Sequence, residues 1–175
     1  TITNNMANTN IGAGSYGFIL ETGSTLNNNG QLTLNGNGTG VYSDGINVIN
    51  NSTGSDITML GNKNVGFYFV NGGTIINNAD IHGTTGQSNI GVYSKGGTVT
   101  NTGAINVGDS TLAYKPDGSV DHDNSAYAVG IYGDGSQINT TTSTNITIGK
   151  DAIGMYTRNN QGTTYFNGTI TSTGA

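Results

Sequence analysis

The sequence predicts an all-β chain wound as a right-handed parallel β-helix, a solenoid of about six rungs with roughly 24 residues and three short strands in each. Three observations carry that expectation. Gly, Asn and Thr supply 30, 26 and 27 of the 175 residues, a composition that disfavours helix. Aliphatic residues recur at alternate positions, the period of a strand with one buried face. A triplet of Gly, an apolar residue and Tyr returns at a nearly constant interval, as a repeat architecture requires.

The first strand of each rung carries the triplet: Gly40-Val41-Tyr42, Gly66-Phe67-Tyr68, Gly91-Val92-Tyr93, Gly130-Ile131-Tyr132 and Gly154-Met155-Tyr156, with Gly17-Phe18-Ile19 a degenerate copy. Successive glycines lie 23, 26, 25, 39 and 24 residues apart, so one interval holds an insertion. The period of two places the aliphatic side chains inside and Gly and Tyr outside. A second strand has an aliphatic residue two before Asn: Leu26 and Asn28, Val48 and Asn50, Ile75 and Asn77, Val99 and Asn101. Ile2 with Asn4, Ile138 with Thr140, and Tyr165 with Asn167 are looser copies. The third strand supplies Leu32 and Leu34, Ile57 and Met59, Ile81, Ile105 and Val107, Ile146 and Ile148, and Ile170.

Turn chemistry separates these strands. Gly45, Asn71, Gly96, Gly135 and Asn159 each follow the repeat glycine by five residues, where a corner needs left-handed backbone, and Gly61, Gly86 and Gly149 precede one by five. Stacking at roughly 4.8 Å per rung turns each repeat position into a column. The Asn column becomes a buried ladder of side-chain amides, which we read as structural. The chain starts and stops within the pattern, so residues 1–175 read as one β-helix segment of a longer protein whose open strand edges favour end-to-end association.

The composition excludes several function classes. One Arg and four Lys in a chain of pI about 4.5 cannot neutralise a phosphate backbone, so nucleic acid is not an expected partner. The absence of Cys removes disulfides, Cys-ligated zinc and thiol nucleophiles. No stretch approaches the roughly 20 apolar residues of a membrane span. No start resembles a signal peptide, so any export signal is removed or lies outside this segment. Catalysis on a β-helix needs clustered carboxylates with a basic partner, whereas this chain has a single Glu, Glu21, a single Arg, Arg158, and scattered Asp. Four residues after the repeat glycine, Lys95, Asp134 and Arg158 alternate in sign, a surface charge column rather than a catalytic set. His82 has no partner that suggests catalysis. The chain is expected not to be an enzyme and to use no cofactor or metal.

Two features suit binding. Tyr42, Tyr68, Tyr93, Tyr132 and Tyr156 form an outward aromatic column, beside a glycine column expected to leave the surface flat. The column fits a stabilising ladder best, and a flat strip for stacking on sugars or anchoring proteins second. The insertion, residues 109–128 in the fourth rung counted from Gly17, reads as a loop leaving the scaffold and is the strongest recognition candidate. Its Tyr114, Lys115, Asp117, Asp121, His122 and Asp123 mix an aromatic, a cation, carboxylates and a switchable donor. The three Asp lack the spacing of a calcium loop.

The order Gly91-Val92-Tyr93, Val99-x-Asn101 and Ile105-x-Val107, repeated along nearly the whole chain, resembles the passenger repeats of the large monomeric autotransporter adhesins of fusobacteria and their relatives. That resemblance implies a virulence-associated, exported passenger at the outer membrane or cell surface of a Gram-negative bacterium, or secreted from it. The membrane tether would be a C-terminal translocator barrel not contained in this sequence. It also implies adhesion to host cells or other bacteria through a protein or glycan receptor. No family motif assigns contact residues. A passive stalk lifting a distal head is the alternative, and a polysaccharide-acting enzyme a more distant one.

Overall fold

A computed structural model describes residues 1–174 and places them in a parallel β-solenoid of about seven turns. Three sheets run along the stack, with six, seven and six strands. The first face consists of Ile2–Asn4, Thr25–Asn28, Val48–Asn51, Thr74–Asn77, Thr98–Asn101 and Gln137–Thr140. The second consists of Asn8–Ile11, Gln31–Asn35, Ile57–Leu60, Ile81–Gly83, Ile105–Val107, Asn145–Ile148 and Thr169–Ser172. The third, which carries the triplets, consists of Tyr16–Leu20, Thr39–Asp44, Val65–Val70, Ile90–Lys95, Val129–Asp134 and Ile153–Arg158. No helix occurs among the described residues.

The register pairs each core residue with its copy one rung on. On the first face Leu26, Ile49, Ile75, Val99 and Ile138 form one fully buried column. Leu32, Ile57, Ile81, Ile105 and Ile146 form its counterpart on the second face. Each such side chain contributes roughly 1.5–3 kcal/mol by leaving water. Size varies most at Phe69, which faces inward between the small Ser43 and Ser94 of adjacent rungs.

Two segments differ from the expected frame by one residue. In the strand Val48–Asn51, Ile49 and Asn51 face inward while Val48 is 37% exposed, so the pair is not Val48 and Asn50. The run Val48-Ile49-Asn50-Asn51 satisfies the aliphatic-x-Asn spacing in either frame, and a shift of one residue inverts both faces of a strand. Near the end, Tyr165 aligns with Asn139 and is 55% exposed, and Phe166 packs on the core in its place.

The asparagine ladder is continuous. Asn4 Nδ2 donates to Asn28 Oδ1 at 2.7 Å, Asn28 to Asn51 at 2.6 Å, Asn51 to Asn77 at 2.7 Å and Asn77 to Asn101 at 2.6 Å. Asn51 and Asn77 use their other amide hydrogen on the carbonyls of Ser55 and Ala79, which holds the turn into the second face. A second set lies before the third face, where Gly38 N donates to Asn64 Oδ1 and Asn64 N to Asn89 Oδ1, at 3.0 and 2.8 Å.

The five expected corner residues all adopt left-handed backbone, with φ of 87° at Gly45, 64° at Asn71, 77° at Gly96, 64° at Gly135 and 51° at Asn159. Gly61 does so as well, but Gly86 and Gly149 do not. At that corner the left-handed residues are Asn37, Lys63, Ser88 and Asp151, each three before a repeat glycine.

The repeat glycine does not belong to the outer face. A Cβ on Gly40, Gly66, Gly91 or Gly130 would lie 2.5–2.6 Å from the carbonyl oxygen of the next repeat glycine, and on Gly91 also 2.7 Å from buried Ile105. The backbone passes too close to the neighbouring rung for any side chain, a constraint that alternation alone does not reveal.

These contacts set unequal costs. Asn77→Ala leaves Asn101 Oδ1 without its donor and should lower the unfolding free energy by about 1–3 kcal/mol. Gly91→Ala forces displacement of backbone and should cost a similar ~1–3 kcal/mol. Gly118→Ala has only its φ of +85° against it, with no atom within 4 Å, and should cost less than either. Urea unfolding of the three variants checks the order.

Candidate functional site

The tyrosine column forms as a continuous stack. Tyr42, Tyr68, Tyr93, Tyr132 and Tyr156 lie in register on the third face, with ring centroids 5.6, 4.6, 4.7 and 5.2 Å apart and planes within 15° of parallel. Tyr16 closes the upper end edge-on against Tyr42. The Tyr93 phenol is pushed above its ordinary pKa, first by burial within the stack and then by Tyr68 and Tyr132 on either side.

An aliphatic column, not a glycine one, runs beside the rings. Val65, Ile90, Val129 and Ile153 pair in register at the start of the same strands. Here the structure corrects the flat surface expected from glycine. Because the glycine turns inward, the residue before it and the tyrosine two after it share the outer side of the sheet.

The insertion is an antiparallel hairpin, Thr111–Tyr114 with Val120–Ala126, rising from the corner between the second and third faces. Its neck is sewn to the rungs on both sides. Ser88 Oγ donates to Ala126 O at 2.8 Å, Ser110 Oγ donates to Asp151 O at 2.8 Å and accepts from Ala128 N at 3.0 Å, and Asp109 Oδ1 accepts from Lys150 N at 2.7 Å. The pairing jumps from Thr111 with Ala126 to Ala113 with Asp121, so residues 122–125 bulge outward opposite one residue. Asp121 Oδ2 accepts from Asn124 Nδ2 at 2.7 Å, and Ser125 Oγ donates to Asp121 O at 2.6 Å, which shape the bulge. This geometry carries His122 to Tyr127, whose hydroxyl lies 2.5 Å from His122 Nδ1.

Hairpin and ladder together flank an open groove of about 620 Å³. Ile90, Val129 and Ile153 supply its aliphatic floor and Tyr93, Tyr132 and Tyr156 one wall. His122 and Tyr127 supply the other. Of the residues singled out in the sequence, the structure therefore gathers His122 and the last three tyrosines. Tyr42 and Tyr68 stand further along the same ladder. Tyr114 and Lys115 lie at the hairpin tip, where Asp117 Oδ1 accepts from Ser119 N and Oγ at 2.9 and 2.7 Å. Asp121 and Asp123 belong to the bulge. Tyr127 and the aliphatic column are the site residues that sequence reasoning missed. Val65 and Ile90 were visible as the residues preceding Gly66 and Gly91, but strict alternation assigned them to the core.

Among the described residues no group of three His, Asp or Glu side chains could hold a metal ion. The groove is lined by no carboxylate, so it offers no acid and base pair for glycoside chemistry. His82 Nε2 approaches Asp56 Oδ2 at only 3.8 Å on the surface of the second face. Below the groove, Arg158 donates to Asp134 Oδ2 at 2.8 Å and Asn159 to Asp134 Oδ1 at 2.9 Å. These bonds, Arg158 first, hold the Asp134 carboxyl below its ordinary pKa.

Compared with known proteins, the chain matches no family profile, no curated protein and no solved structure. Fold and groove geometry define it as a β-solenoid with an aromatic flank.

Because Asp134 has a depressed pKa in the folded chain, its contribution is complete above the ordinary carboxylate pKa of about 4 and is lost as pH falls through the lowered value. Arg158→Ala should return the Asp134 carboxyl towards its ordinary range in an NMR titration and flatten the acid loss of stability. An unmoved Asp134 would remove Arg158 as the cause.

Proposed function

We propose that this chain is a segment of a bacterial surface adhesin of the autotransporter passenger type, attaching to host cells or other bacteria through a surface protein or glycan. The observation that carries the reading is the groove, a concave and mainly apolar cleft on the flank of the solenoid with a few polar groups at its walls, which is the general form of a binding site. The repeat resemblance supplies the setting, an exported protein at the cell surface of a Gram-negative bacterium. The structural division of labour fits it. Rung residues are bound to neighbours on both sides, and the hairpin leaves that lattice, so its shape can vary at little cost to the stack. We read no enzyme in the chain, since the groove lacks the carboxylates that polysaccharide chemistry requires.

A passive stalk is the second reading, favoured by the uniformity of the rungs beyond the groove. Cell binding by the isolated chain separates the two. The chain should bind, and replacing residues 111–126 by Asn-Gly should weaken binding about tenfold or more while leaving the melting temperature within a few degrees. The replacement spares Asp109, Ser110 and Ala128, whose hydrogen bonds belong to the rungs. Undiminished binding would move the site elsewhere, and no binding by the intact chain would favour the stalk.

A further inference from the structure

We propose that the groove accepts an aromatic side chain displayed by a partner protein, in preference to a sugar. The inference rests on the adhesive reading above and selects among its receptors. Ring orientation decides it. In the ladder, Tyr93 stacks on Tyr68 at 13° and on Tyr132 at 2°, and Tyr132 stacks on Tyr156 at 12°. The faces of Tyr93 and Tyr132 are therefore spent on one another and their edges point into the groove. Sugars bind aromatic residues chiefly through ring faces, and of the three ladder tyrosines that line the groove only Tyr156, 41% exposed at the end of the column, has a face not taken by another ladder ring.

Ring edges carry the positive lobe of the quadrupole and attract the negative face of a second ring, the edge-to-face arrangement at centroid separations of about 4.5–7 Å. The floor of Ile90, Val129 and Ile153 offers no hydrogen bond to a sugar hydroxyl. On the opposite wall, His122 Nδ1 and the Tyr127 hydroxyl are paired with each other at 2.5 Å, which leaves His122 Nε2 as the one ring nitrogen of that wall not engaged by this contact. The nearby charges, Arg158 and Asp134, are paired at 2.8 Å. An uncharged, flat, apolar group matches all three surfaces. The volume of about 620 Å³ exceeds one ring and leaves room for the flanking residues of a polypeptide.

The test titrates the whole chain, labelled at isoleucine methyls, with N-acetyl-tryptophanamide, N-acetyl-leucinamide and methyl β-galactopyranoside. Tryptophanamide should produce saturable ring-current shifts at Ile90 and Ile153 with a Kd of about 1–10 mM, as expected for one isolated side chain. Leucinamide should bind at least tenfold more weakly, and the galactoside should leave the floor methyls unmoved. The Asn-Gly replacement of residues 111–126 should abolish the shifts. Equal affinity for leucinamide, stronger perturbation by the galactoside, or no saturable shift with tryptophanamide would each overturn the inference. Because the titration contains no cells, it can fail while the chain still adheres, which would leave the adhesive reading standing with a different receptor chemistry.

Discussion

Every position in this chain must tolerate a copy of itself directly above and below, and that constraint organises the molecule. Its strictest expression is the buried amide ladder, in which the side-chain amides of Asn28, Asn51 and Asn77 each accept from one rung and donate to the next. A primary amide has both a donor and an acceptor and so satisfies itself in a stack, which neither a carboxylate nor an ammonium can do. The ladder thereby puts polar groups into the core without a net hydrogen-bonding deficit. It also locks the register of the aliphatic columns on either side, because a one-residue slip would bury charged or polar groups with no partner. The repeat glycines impose the same register sterically, since each leaves room only for the carbonyl of the next.

The candidate site is a by-product of that lattice and of one departure from it. Stacking forces the tyrosines into a ladder and the residues before each glycine into an aliphatic strip. Neither is a pocket by itself. A groove arises only where the hairpin Thr111–Ala126 leaves the corner and bends back through its bulge, bringing His122 and Tyr127 over the strip. The scaffold supplies rigidity and the insertion supplies a wall, so recognition is decoupled from the contacts that hold the rungs together.

Much of the fold was legible in the sequence because the repeat restates it six times. Three strands per rung, parallel pairing, the asparagine ladder and left-handed corners all followed from spacing. The misreadings share a cause, which is that alternation describes isolated strands and not stacked ones. Val48 was taken for Ile49 because both frames satisfied the same spacing. The repeat glycine was assigned outward because its reason for being glycine is a backbone in the neighbouring rung, 24 or so residues away. Asn64 and Asn89 escaped notice because their counterparts at Gly38, Ala128 and Ala152 are not Asn. At the site, the tyrosine column and the insertion were both visible, but their meeting was not. It depends on the bulge at residues 122–125, which Asp121, Asn124 and Ser125 build from local hydrogen bonds with no repeat to announce them.

The central claim, that buried asparagines hydrogen-bond rung to rung and fix the stack, is tested most directly by hydrogen exchange of their side-chain amides. In a chain labelled with 15N at asparagine, the Nδ2 protons of Asn28, Asn51 and Asn77 should exchange orders of magnitude more slowly than those of exposed Asn8 or Asn160, with protection rivalling the core backbone. Exchange of the three ladder amides at the rate of exposed ones would contradict a continuous buried ladder and the register built on it.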